Sequence, residues 1–93
     1  MKREEIEKSW TTRGFTFGMG SIKAGDGVDE AVHDDMDELV LMEKGTYEFI
    51  IGDKSFTQDG EEEVLIPAGV VHSIKNLGTK DSIIYFGYKQ KKD

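Results

Sequence analysis

Apolar residues alternate with small or polar ones along Phe15-Thr16-Phe17-Gly18-Met19. A period of two is what a strand with one buried face produces. Residues 39–43 (LVLME) and 46–51 (TYEFII) are denser in branched and aromatic side chains, and the segments 54–58, 63–67, 72–76 and 82–89 follow in the same style. Between them stand Lys44-Gly45, Gly52-Asp53 and Asp59-Gly60, turn dipeptides of the kind that close hairpins. Strands at this spacing with glycine between them predict a sandwich or barrel. Only residues 2–8 (KREEIEK) carry a helical signal, and Ile6 is their single apolar residue. The pattern therefore predicts one all-β domain over residues 1–93, opened by a short helix or an extended arm.

Composition narrows the functions. Ninety-three residues suffice for one core and hardly for two. Apolar residues make up 37% and charged residues 33%, which predicts a narrow interior or pairing with a second copy. The absence of cysteine excludes disulfides, cysteine-bound zinc and thiol catalysis. No apolar run approaches the roughly 20 residues of a membrane helix, and MKREEIEKSW lacks the apolar centre of a signal peptide. A cytoplasmic protein with no membrane partner is expected. A net charge of -7 repels phosphate backbones, so no nucleic-acid partner is expected either. The basic tail KQKKD is too short to reverse that.

Several catalytic devices are missing. GMGSIK begins like a dinucleotide fingerprint, but Lys23 holds the third glycine position and no helical pattern follows. No Walker lysine and no nucleophile elbow occur. Residues 25–38 (GDGVDEAVHDDMDE) gather seven carboxylates, Asp26, Asp29, Glu30, Asp34, Asp35, Asp37 and Glu38, around His33. No register of this stretch meets the ligand spacing of an EF-hand, and most of it reads as a solvated acidic loop. His33 and Glu38 flank the entry to the strand 39–43, while His72 opens the strand 72–76. Imidazole nitrogen and carboxylate oxygen suit first-row divalent metals, and three such groups converging from different strands would hold an ion. Scattered histidines also serve as ordinary surface or satisfied polar residues.

The stretch 60–76 adds a motif. Gly60, six intervening residues, then Pro67, Gly69, His72 and Asn76 resemble the second signature of the cupin family, a glycine, five residues, then P-x-G-x-x-H-x-x-x-N. The gap here is one residue longer than in the commonest form. Gly25, His33, Glu38 and Gly45 keep the spacing of the first cupin signature, with Ala31 where its first histidine would stand. Physically, proline fixes φ and glycine reaches φ > 0, so Pro67 and Gly69 make a tight corner that delivers His72 to the barrel mouth. Strand alternation would turn Val40 and Met42 inward with Glu38. Asn76 shares the face of His72 and is expected to brace backbone.

The resemblance implies a small antiparallel jelly-roll barrel. In typical metal-binding cupins it also implies an ion held by three histidines and a glutamate, of which this chain supplies His33, Glu38 and His72. Three outcomes follow from Ala31. The site works with two histidines and one carboxylate, a set shared with non-haem Fe(II) oxygenases and suited to Zn, Mn or Ni. Alternatively Asp34 or Asp35 replaces the missing ligand. Or no metal binds, and the three residues line a pocket for an organic ligand.

The leading expectation is a small cupin that binds a divalent ion and acts on a small molecule. The resemblance offers dioxygen-dependent cleavage or metal-assisted isomerisation, with Glu38 doubling as proton acceptor. The alternative is a metal-free sensor of a sugar or metabolite. Its pocket would be lined by Phe15, Phe17, Tyr47, Phe49, Tyr85 and Phe86, residues that otherwise read as core. The resemblance further implies a homodimer, and strands around Trp10 and Tyr85 are candidates for the exchange.

Overall fold

The strand-rich pattern folds as eight strands and one helix among the described residues. A computed structural model describes residues 2–91, apart from the side chains of residues 29 and 30. Helix α1 (Arg3–Thr12) leads to β1 (Gly18–Ile22), β2 (Gly27–Ala31), β3 (Met36–Met42) and β4 (Tyr47–Ile51). Then come β5 (Lys54–Gln58), β6 (Val64–Ile66), β7 (His72–Asn76) and β8 (Ser82–Gln90). They form two four-stranded sheets, β1-β8-β3-β6 and β2-β7-β4-β5, with every pairing antiparallel. The expected antiparallel all-β barrel is what these residues build.

The chain passes from one sheet to the other at almost every connection, and this corrects two of the turns. Gly52-Asp53 does close a hairpin, between β4 and β5. Lys44-Gly45 and Asp59-Gly60 instead carry the chain across the sandwich, because β3 and β6 belong to the opposite sheet from β4 and β5. At the second crossing Gly60 has φ +85, and a Cβ there would lie 2.2 Å from the Glu43 carbonyl oxygen. No side chain fits that approach.

Alternation along β3 sets up two apolar layers. Val40 and Met42 join Ile22, Tyr47, Phe49, Val64, Ile66, Ile74 and Ile84 between the sheets. Leu39 and Leu41 point the other way and meet Ile6, Trp10 and Tyr85 under the helix. That is why LVLM reads as a continuous apolar run: both faces of β3 are buried. Val40 and Met42 do share the inward face expected for them.

Three boundaries move from the sequence reading. The helix runs to Thr12 because Ile6 and Trp10, four residues apart, lie on one face and dock on the sheet. Trp10 therefore sits in a helix and not in a strand. The first strand starts at Gly18, since Phe15 and Phe17 pack into the outer layer, Phe17 against both Trp10 and Tyr85. Residues 27–31 form β2, paired with β7, where a solvated acidic loop was expected. No helix among the described residues is long and apolar enough to cross a membrane.

Candidate metal centre

Each of the three candidate ligands arrives from a different piece of backbone. Glu38 is on the inner face of β3, in register with Ile66 on β6 and Tyr88 on β8. His72 is the first residue of β7, delivered by the Pro67–Gly69 corner. Gly69 takes φ +80 there, and its N–H donates to the His33 carbonyl at 2.9 Å. One turn thus fixes both histidines. Asp37 holds the same corner from the other side, accepting from the Ala68 N–H at 2.8 Å. Sequence reasoning left Asp37 among the solvated acids; its place next to Glu38 in a strand was the available signal.

The three side chains come together. Both imidazole Nε2 atoms stand 3.3 Å from the same carboxylate oxygen, Glu38 Oε1. All three donor atoms lie within 4.8 Å of one another. Four ligands placed tetrahedrally at about 2.0–2.1 Å from an ion are separated by about 3.3–3.4 Å, which matches the two 3.3 Å distances from Glu38 to the histidines. Glu38 Oε1 is buried and has no hydrogen-bond partner. A buried carboxylate oxygen left alone costs about 1–3 kcal/mol, which a cation at this point would offset.

His72 is oriented for the task. Its Nδ1 lies 3.2 Å from the Val70 carbonyl, and a carbonyl can only accept, so Nδ1 carries a proton and, in the neutral imidazole, Nε2 keeps its lone pair. That lone pair faces another lone pair, on Glu38 Oε1, unless a proton or metal ion intervenes. The site opens on one side only: the His33 side chain is 33% exposed, against 8% for Glu38 and 3% for His72. Burial pushes the Glu38 carboxyl above its ordinary range, outweighing the opposing charges of His72 and then His33.

Sequence reasoning missed Tyr88. It stands opposite Glu38 in the β3–β8 ladder, and its ring meets the His33 ring edge-on, centroids 5.0 Å apart. Burial, followed by the Glu38 charge, raises the Tyr88 hydroxyl above its ordinary range. Asp34 and Asp35 are exposed, and neither joins the ligand cluster among the described residues, so substitution by them is not what the structure builds. Ala31 lies opposite His72 in the β2–β7 ladder and has no donor atom to offer. Asn76 braces backbone as expected: its amide donates to the Ile22 and Lys80 carbonyls and accepts from the Gly78 N–H. The six aromatics do not share a pocket. Tyr47, Phe49 and Phe86 pack between the sheets, and Phe15, Phe17 and Tyr85 pack outside them.

No family model matches this chain, and no curated protein matches it. Solved structures do. The cupin domain of Schizosaccharomyces pombe Cnp3 superposes with TM-score 0.77 at 19% identity, over 84% of this chain and 54% of that one. A Bacillus halodurans protein gives TM-score 0.76 at 21% identity, over 85% and 64%. A predicted oxalate decarboxylase from Thermotoga maritima gives 0.75 at 17% identity, over 98% and 76%. The chain spans 54% and 64% of the first two, short of two thirds of either. With its two antiparallel sheets and these neighbours, the chain has the fold of a cupin domain.

Proposed function

We propose that this protein binds a divalent first-row ion through His33, Glu38 and His72 and acts on a small molecule that chelates that ion. One observation carries the reading: a buried carboxylate oxygen without a hydrogen-bond partner, flanked at 3.3 Å by two imidazole nitrogens. Two nitrogen donors favour Fe, Mn, Ni or Zn over the oxygen-seeking Mg and Ca. A bound ion of this group supplies Lewis acidity toward a substrate oxygen and, for iron, chemistry with dioxygen.

The rest is the work of the chain. The Val70 carbonyl and the Pro67–Gly69 corner hold His72 in one tautomer and one place. Glu38 is buried, so it binds an ion without competing for water. Ala31 adds no donor, which leaves coordination positions for a substrate beside His72. The likeness to a predicted oxalate decarboxylase makes small chelating carboxylates, oxalate foremost, the substrates to test. A metal-free sensor has less support, because the aromatics that would line its pocket are core.

Elemental analysis of the purified, untagged protein tests the proposal. We expect near-stoichiometric metal in the wild type and its loss in His72→Ala. A wild type free of metal, and not stabilised by added Fe, Mn, Ni or Zn, would overturn the reading. Ala31→His should complete a four-ligand set and tighten binding by about tenfold or more, about 1.4 kcal/mol, as measured by competition with a chelator. Unchanged affinity would mean that residue 31 does not face the ion.

A cytoplasmic homodimer belongs to the same proposal. Met19 and Leu65 expose apolar side chains on the two edge strands of the helix-bearing sheet, which supports pairing there. Light scattering returning 10.5 kDa would remove the dimer.

A further inference from the structure

We propose that Asp37 is a positioning residue for the metal centre: by accepting from the Ala68 N–H it fixes the corner that sets both histidines. The inference rests on the metal-binding reading above. Consecutive strand residues point to opposite faces, so Glu38 turns inward while Asp37 takes the other face of β3, half-buried and opposite Lys89 on β8. From there Asp37 Oδ1 accepts from the Ala68 N–H at 2.8 Å.

The corner needs that tether. Pro67–Val70 is a tight turn whose third residue, Gly69, has φ +80, the mark of a type II turn with Ala68 in second place. Its own closing bond, from the Val70 N–H to the Pro67 carbonyl, is 3.4 Å long. A well-made bond of this kind spans about 2.7–3.2 Å. The bonds that leave the turn are shorter, 2.8 Å from Ala68 to Asp37 and 2.9 Å from Gly69 to the His33 carbonyl. The corner is therefore held by its surroundings more than by its own closure.

Two ligands depend on it. The His72 Nδ1 lies 3.2 Å from the Val70 carbonyl, so a corner that tilts carries the imidazole with it. The His33 backbone is bonded to Gly69 and moves with the same turn. One acceptor on β3 thus fixes two ligands, and its neighbour Glu38 is the third. Ala31 offers no donor, so no fourth ligand corrects a shift in the other three.

Cobalt(II) titration with a competing chelator tests this, because the visible spectrum of Co²⁺ reports the number and geometry of its ligands. We expect Asp37→Ala to bind Co²⁺ about 10–100-fold more weakly, with a changed spectrum. Asp37→Asn keeps a side-chain oxygen that accepts from Ala68, and it should stay within about threefold of the wild type. The double variant Asp37→Ala/Ala68→Pro removes acceptor and donor together. Proline suits the second place of this turn and restricts the unfolded chain, so the double variant should fold at least as well as Asp37→Ala. We expect it to recover most of the affinity and the wild-type spectrum.

A purely structural role for Asp37 would lower the melting temperature and leave the spectrum of the folded protein unchanged. Wild-type affinity and spectrum in Asp37→Ala would overturn the proposal and leave the metal site standing. Equal losses in Asp37→Asn and Asp37→Ala would overturn it too, by making the charge opposite Lys89 the cause. A double variant as weak as Asp37→Ala would overturn the corner as the route. A wild type that binds no Co²⁺ would overturn this inference and the metal-binding reading together.

Discussion

Glu38→Gln should yield a protein that is more stable than the wild type without metal and indifferent to metal. The Glu38 carboxyl is raised above 4.5 because burial disfavours its charged form more than His72 and His33 favour it. A carboxyl raised on folding contributes stability that is fully present below its unfolded value. That contribution is lost as pH climbs through the folded value. The metal-free wild type therefore weakens from about pH 4.5 upward, while the neutral glutamine does not titrate.

The introduced amide would also bring an N–H within reach of an imidazole nitrogen, where two lone pairs now face each other. We expect the metal-free variant to gain roughly 1 kcal/mol near neutrality, and the gap to close toward pH 4.5. Metal acts in the opposite sense, since binding requires the deprotonated carboxylate and strengthens as pH rises. Thermal melts of both proteins, in chelator and then with excess Mn²⁺ or Zn²⁺, read both effects. A less stable metal-free variant would show that Glu38 is satisfied without an ion.

The largest loss of stability should come from Trp10→Ala. Trp10 is fully buried between α1 and the outer face of the sheet, against Leu39, Leu41 and Tyr85. Its indole N–H donates to Glu63 at 2.6 Å, and Arg13 binds the same carboxylate at 2.9 Å and 3.1 Å. Gly87 makes room for it: a Cβ there would fall 3.0 Å from the indole and 2.1 Å from the Thr16 carbonyl oxygen.

Truncating a buried tryptophan costs about 3–5 kcal/mol, out of the roughly 5–15 kcal/mol that holds a domain together. The melting temperature should fall by about 15 °C or more. The ligands face the opposite side of the sheet from Trp10, so the fraction that remains folded should still bind metal. A melting temperature within a few degrees of the wild type would show that the helix is not part of the core.

Much of this could be read from the chain, and the parts that could not share a cause. His33, Glu38 and His72 stood out because their spacing resembles the two cupin signatures, and local turn chemistry at Pro67 and Gly69 marks the corner before His72. The strand β2 was not legible. Its sequence, GVDEA, has little apolar content, and its backbone pairing with β7 forms it. The helix past residue 8 was missed for a similar reason, since Ile6 and Trp10 gain stability only by docking on Leu39 and Leu41. Residues 15–17 have the alternation of a strand, yet Phe15 and Phe17 serve the layer beneath the helix.

By itself the sequence indicated most of the segments that extend, where the chain must turn, and, through the resemblance, which three side chains could hold an ion. It did so because backbone preference and side-chain period act over a few residues. The tertiary structure decided which strands pair, that Lys44-Gly45 crosses between sheets, that Trp10 is core, and that Tyr88 stands across from Glu38. Those are matters of register between segments some fifty residues apart. Register is set by mutual burial, and no short stretch of chain contains that information.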